Sequence, residues 1–128
     1  MTHGKDIKPD ETNDPYLLMR IFIGESDKAQ HGKFQGKPLW EALLKDFRER
    51  GLAGATVIRA IAGFGASAKL RSTLSEYLSL DLPIIIEVVD RESRIRAMLP
   101  DLDEMIGGGM VTLEKTEVIL YRPEIKPD

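Results

Sequence analysis

The chain has 128 residues, 42% hydrophobic and 30% charged, with a formal net charge of −3, which is ordinary for a soluble globular protein and long enough for one domain with a buried core. The acidic balance gives no electrostatic basis for binding DNA or RNA, which needs a basic face, so no nucleic-acid partner is expected. Cysteine is absent, which excludes disulfides, thiolate metal sites and a cysteine nucleophile, and is compatible with a reducing compartment.

Residues 1–14 are polar, lack the apolar stretch of a secretory signal and have little to bury, so they read as a disordered tail. No apolar run nears the ~20 residues of a membrane span, and the cytoplasm is the expected location. Residues 15–122 read as a single domain and 123–128 as a polar C-terminal tail.

Tyr16 to Ile23 is apolar at nearly every position, the mark of a central strand covered on both faces. A polar loop from Gly24 to Lys37 follows. Pro38 suits the first position of a helix, and Leu39, Trp40, Leu43, Leu44 and Phe47 recur at helical spacing up to Gly51. Ala55 to Ala62 predicts a second strand, with Val57, Arg59 and Ile61 on one face and Thr56, Ile58 and Ala60 on the other. It runs into Gly63-Phe64-Gly65, where two glycines permit a sharp turn and leave amides open to an anion. Residues 66–81 read as a long flexible loop with room for a short helix.

Pro83 to Asp90 predicts the third strand, with Asp90 as the N-cap of a second helix. Ile95, Met98, Leu99, Leu102, Met105 and Ile106 form that helix's apolar stripe, which Pro100 is expected to kink or split. Gly107-Gly108-Gly109 ends it, and Met110 to Leu120 reads as the fourth strand. The order predicts an α+β, ferredoxin-like βαββαβ domain: a four-stranded antiparallel sheet with two helices on one face. The other face has no helix to cover it, although the first and third strands are apolar on both sides, which predicts self-association.

Several blocks in fixed order carry a resemblance. They are Leu18-Met19-Arg20-Ile21-Phe22-Ile23-Gly24-Glu25, Gly36-Lys37-Pro38-Leu39, Gly54-Ala55-Thr56-Val57-Ile58-Arg59 with Gly63-Phe64-Gly65, Asp81-Leu82-Pro83 and Glu87-Val88-Val89-Asp90. Over residues 16–121 the chain resembles an uncharacterised family of PII-like signalling proteins, and it is more distantly similar to the nitrogen-regulatory PII proteins. The resemblance implies a homotrimer that binds an adenine nucleotide (ATP, ADP or AMP) between subunits and signals through the loop at about 66–81 to a protein partner. Membrane transporters or channels are the suspected partners in the family. It also implies that Gly63, Phe64 and Gly65 contact the nucleotide, that Gly107, Gly108 and Gly109 cradle its phosphates, and that Thr56 meets the base. The PII pattern follows its phosphate turn with a lysine and ends in a basic Arg-x-Arg segment. Here Met110 and Val111 follow the turn and the tail offers Arg122, which points to a ligand with fewer phosphates.

Plainer readings stand beside these. Gly63-Phe64-Gly65 also fits a strand end with Phe64 in the core, and the triple glycine also fits a helix stop before a turn. Arg59 either meets an anion or pairs with Glu87, and Lys69 and Arg71 read as solvated loop cations. His3 and His31 stand alone, so no metal is assigned. Met19, Met98, Met105 and Met110 read as core filler. No Ser-His-Asp, paired-carboxylate or Walker-type pattern occurs, so no catalytic residue is assigned. The alternatives are a small enzyme on this fold, such as an acyl-phosphate hydrolase or a cofactorless oxygenase, and a structural trimer without nucleotide.

Overall fold

The computed structural model describes residues 13–65, the backbone at 71–72, and residues 81–124. In chain order the elements are β1 (Tyr16–Gly24), α1 (Leu39–Glu49), β2 (Thr56–Arg59), β3 (Ala62–Gly63), β4 (Arg71–Ser72), β5 (Pro83–Arg91), α2 (Glu92–Met105) and β6 (Met110–Lys115). The main sheet has the order β2-β5-β1-β6, with every neighbouring pair antiparallel. This is the α+β, ferredoxin-like layout expected from the sequence.

Alternation along β1 and β5 sends Leu17, Met19, Ile21, Ile23, Ile84, Ile86 and Val88 into one buried core. The helices meet them there with Leu39, Leu43 and Phe47 from α1 and Ile95, Met98 and Leu102 from α2. Asp46 and Arg50 pair on the wet side of α1, and Arg50 reaches across to Asp101. Gly51 closes α1 at φ 75°, where glycine carries no steric penalty. Among the described residues no helix is long and apolar enough to cross a membrane.

Several local expectations are corrected. The second strand stops at Arg59 rather than Ala62. The Ala60 N–H still donates to the Pro83 carbonyl, but β5 begins at Pro83 and offers no partner beyond it. Ala62–Gly63 instead joins Arg71–Ser72 in a separate two-stranded ladder. The last strand stops at Lys115 because β1 begins at Tyr16, whose carbonyl takes the Thr116 N–H. Helix α2 runs through Pro100 without being split. The carbonyl that Pro100 leaves unbonded belongs to Arg96, and both residues are exposed, so water can satisfy it. Met110 is 61% exposed and fills no core.

Asp90 does not cap α2. Arg91 occupies the N-cap with extended backbone. The Asp14 carboxylate reaches the helix start instead, accepting from the Ser93 N–H at 2.8 Å and its hydroxyl at 2.6 Å. Residues 1–12 of the expected 1–14 tail, the greater part of the 66–81 loop, Lys69, and residues 125–128 of the expected 123–128 tail lie outside the described residues.

Candidate functional site

The sheet face opposite the helices is built by the same alternation. It carries Leu18, Arg20 and Phe22 from β1 beside Val89, Glu87 and Ile85 from β5. The register adds Thr56 and Ile58 from β2, and Met110, Thr112 and Glu114 from β6. A polar row, Thr56–Glu87–Arg20–Thr112, therefore lies between an apolar row at Ile58–Ile85–Phe22–Met110 and the pair Val89–Leu18. Arg20 Nε donates to Glu87 Oε2 at 2.9 Å and its Nη1 to Glu114 Oε1 at 2.8 Å. The Glu87 hydrogen bond, aided by the Glu114 charge, holds the Arg20 guanidinium above its ordinary pKa.

The segment after β6 crosses this face. Val118, Leu120 and Tyr121 stand with Tyr16, Leu18 and Val89 around a cleft of about 480 Å³. Residues 53–56 and Glu87 complete it. Its walls are aliphatic and aromatic, and the Thr56 hydroxyl and Glu87 carboxylate come from neighbouring positions of the sheet. Such a slot suits a flat ring bearing hydrogen-bonding groups.

Two interactions shape its walls. Asp90 is 3% exposed; its Oδ2 accepts from the Ala53 N–H at 2.8 Å, and its Oδ1 from the Arg91 N–H at 2.7 Å. The buried carboxylate thereby fixes the start of the wall that leads to Thr56. On the opposite side the Arg91 guanidinium lies 4.1 Å from the Tyr16 ring centroid, a cation–π contact that orients the ring.

The glycine clusters lie at the other end of the sheet. Gly63, Phe64 and Gly65 follow the end of β2, and Gly107, Gly108 and Gly109 precede the start of β6. Because β2 and β6 are opposite edges, three inter-strand steps of about 14 Å in total separate them. Thr56 is at the far end of β2, roughly 10 Å from Arg59 along the strand. One copy of the chain thus brings Thr56 to the cleft and Gly63 to Gly65 near Arg59, and leaves Gly107 to Gly109 across the sheet.

The glycines differ in why they are glycine. Gly109 has φ 142°, and a Cβ there would stand 2.5 Å from the Phe22 carbonyl oxygen. A Cβ on Gly107 would meet the Gln30 side chain at 2.8 Å, whereas Gly65 and Gly108 have nothing within 4 Å. Phe64 is 73% exposed, which corrects its reading as a core plug.

Arg59 does not pair with Glu87. The register sets Arg59 beside Ile84, on the opposite side of the sheet from Glu87, and it binds Glu25 at 3.1 Å instead. Sequence reasoning missed Tyr16, Glu87 and Tyr121 as cleft residues, and Glu25 and Asp90 as the groups that fix its surroundings. Strand alternation does place Glu87 opposite Thr56, once β2 and β5 are known to be neighbours.

Residues 16–118 match the model of a family described as DUF190, "Uncharacterized ACR". The chain is 40% identical to a UPF0166 protein of Aquifex aeolicus over 102 residues, covering 80% of this chain and 91% of the relative. A UPF0166 protein of Methanocaldococcus jannaschii is 32% identical over 108 residues, covering 84% and 93%. A further Aquifex aeolicus UPF0166 protein is 36% identical over 102 residues, covering 80% and 95%.

Proposed function

The chain belongs to the uncharacterised DUF190 family, and from that premise we propose that it is a PII-like regulatory protein that binds an adenine nucleotide where copies of the chain meet. The observation that carries this reading is the division of the binding residues between two edges of one sheet. Gly63 to Gly65 and Gly107 to Gly109 share an end of the sheet but not an edge. They become neighbours when the β2 edge of one copy meets the β6 edge of the next, as in a closed ring of three. The exposed apolar row at Phe22, Ile58 and Met110 supplies a driving force for that assembly.

The ligand lies along β2. Its base occupies the cleft at Thr56, between aromatic walls, and its phosphates extend toward Gly63 to Gly65. Glu87 favours this direction, since a carboxylate in the cleft repels phosphate. Met110 follows the triple glycine where a lysine would clamp a long phosphate chain, so backbone amides carry the anion and ADP or AMP is preferred to ATP. The bound ligand biases the segment that follows Gly65 between two states, and a protein partner reads the difference.

Calorimetric titration with ATP, ADP, AMP and cyclic nucleotides tests this, using wild type and Gly65→Val, with the mass in solution measured by light scattering. A trimer that binds ADP or AMP, weakened by the valine, is the expected result. A monomer, or absence of heat from every nucleotide, refutes it.

A further inference from the structure

Glu25 stands just beyond β1, at the same end of the sheet as the glycines. Its Oε1 accepts from Arg59 Nε at 3.1 Å and from the Leu82 N–H at 3.2 Å, with Arg59 Nη2 also at 3.1 Å. The Glu25 N–H donates to the Leu82 carbonyl at 2.9 Å, and the Ser26 N–H donates to Asp81 Oδ1 at 3.1 Å. One carboxylate therefore ties the residue that ends β2, ahead of Gly63, to the residue that precedes β5.

The two ends are held differently. Leu82 is gripped through its backbone, as donor and as acceptor. The Arg59 side chain meets Glu25 in an ion pair open to water, with side-chain exposures of 48% and 26%. Exposed pairs of this kind shift an equilibrium by at most about fivefold. A phosphate is a stronger partner for guanidinium than a single carboxylate oxygen, because it offers charge and a matching fork of acceptors.

We propose that Glu25 is a competitive latch: a phosphate group bound at Gly63 to Gly65 takes the Arg59 guanidinium from Glu25, so that the side chain at the end of β2 lets go of the turn after β1 and joins the ligand. This rests on the nucleotide reading above and gives it a coupling step. Leu82 stays docked through the Glu25 backbone, so release is confined to the side of the segment that carries the ligand. The latch also sets affinity, since ligand must displace Glu25 before it gains Arg59.

The test titrates ADP and inorganic pyrophosphate into wild type, Glu25→Gln and Arg59→Gln, each checked for folding by circular dichroism. Amide hydrogen exchange is followed at Ala60 to Gly65. Glutamine keeps a neutral acceptor for the Leu82 N–H but loses the charge that holds Arg59. Glu25→Gln is expected to bind both probes about fivefold more tightly, and Arg59→Gln more weakly. Ligand should slow exchange at Gly63 to Gly65, whose amides hold the anion, and unchanged exchange there overturns the latch. If wild type binds ADP and Glu25→Gln binds it equally or more weakly, the latch is overturned and the nucleotide reading stands. Unchanged ADP affinity in Arg59→Gln overturns the latch as well, even if Glu25→Gln does not fold. Pyrophosphate binding in the expected order without ADP binding keeps the latch and removes the nucleotide. Silence from both probes in wild type removes both.

Discussion

Replacing Gly109 and Gly108 one at a time separates a glycine that the fold requires from one that it does not. At Gly109 the backbone has φ 142°, and a new Cβ would come within 2.5 Å of the Phe22 carbonyl oxygen and 3.0 Å of the Ile23 side chain. Phe22 is paired with Met110 in the β1–β6 ladder, so its carbonyl cannot retreat without disturbing that ladder. The dihedral strain alone is of order 1–3 kcal/mol, and displaced strand pairing brings the expected loss for Gly109→Ala to about 2–4 kcal/mol. In a domain of this size that lowers the thermal midpoint by roughly 6–15 °C. Gly108 has nothing within 4 Å and no positive φ, so Gly108→Ala should leave stability within about 0.5 kcal/mol of wild type. Thermal unfolding followed by far-UV circular dichroism measures both. Any nucleotide affinity lost in Gly108→Ala is then a ligand effect. Equal midpoints for the two variants would refute the reasoning.

Two more predictions follow from the same geometry. Asp90→Ala removes a buried carboxylate and leaves the part-buried N–H groups of Ala53 and Arg91 without their acceptor, which should cost about 1–3 kcal/mol in urea unfolding; a loss under about 0.5 kcal/mol would show that water replaces the carboxylate. Phe22→Asp puts a charge in the middle of the exposed apolar row, so light scattering should find a monomer whose circular dichroism spectrum matches wild type; an unchanged oligomer mass would show that this face is not the contact.

The sheet and both helices were legible because their signals are local. The apolar, β-branched runs in Tyr16–Gly24 and Pro83–Arg91, and helical spacing in Leu39–Glu49, survive any error about neighbours. What failed depends on pairing. Nothing near Ala60 in sequence says that β5 starts at Pro83 and cuts β2 short, and nothing near Lys115 says that β1 starts at Tyr16. Arg59 was weighed against Glu87, yet the pairing with Ile84 turns it to the helix side, where Glu25 waits. Asp90 has the composition of a helix cap, but the strand buries it and spends it on the Ala53 amide. Thr56 was found through resemblance, and register shows why it matters: its direct neighbour across the sheet is Glu87. The cleft itself was hidden because one of its walls, Val118, Leu120 and Tyr121, comes from residues after β6, which read as the end of a strand followed by a tail.

The polar row on the open face constrains how copies can meet. Arg20 already binds two carboxylates, Glu87 and Glu114, so each copy brings a net negative charge to the centre of that face. Burying this group dry against its symmetry mates would strip water from three charges and set like charges together, a cost that exceeds what the pairs return. The apolar row at Ile58, Ile85, Phe22 and Met110 carries no such cost. Copies arranged as proposed should therefore touch through that row and through the β2 and β6 edges, while the Arg20 row faces water. That arrangement keeps the Glu87 side of the cleft hydrated and reachable, so a ligand can enter it without parting the contacts that hold the ring.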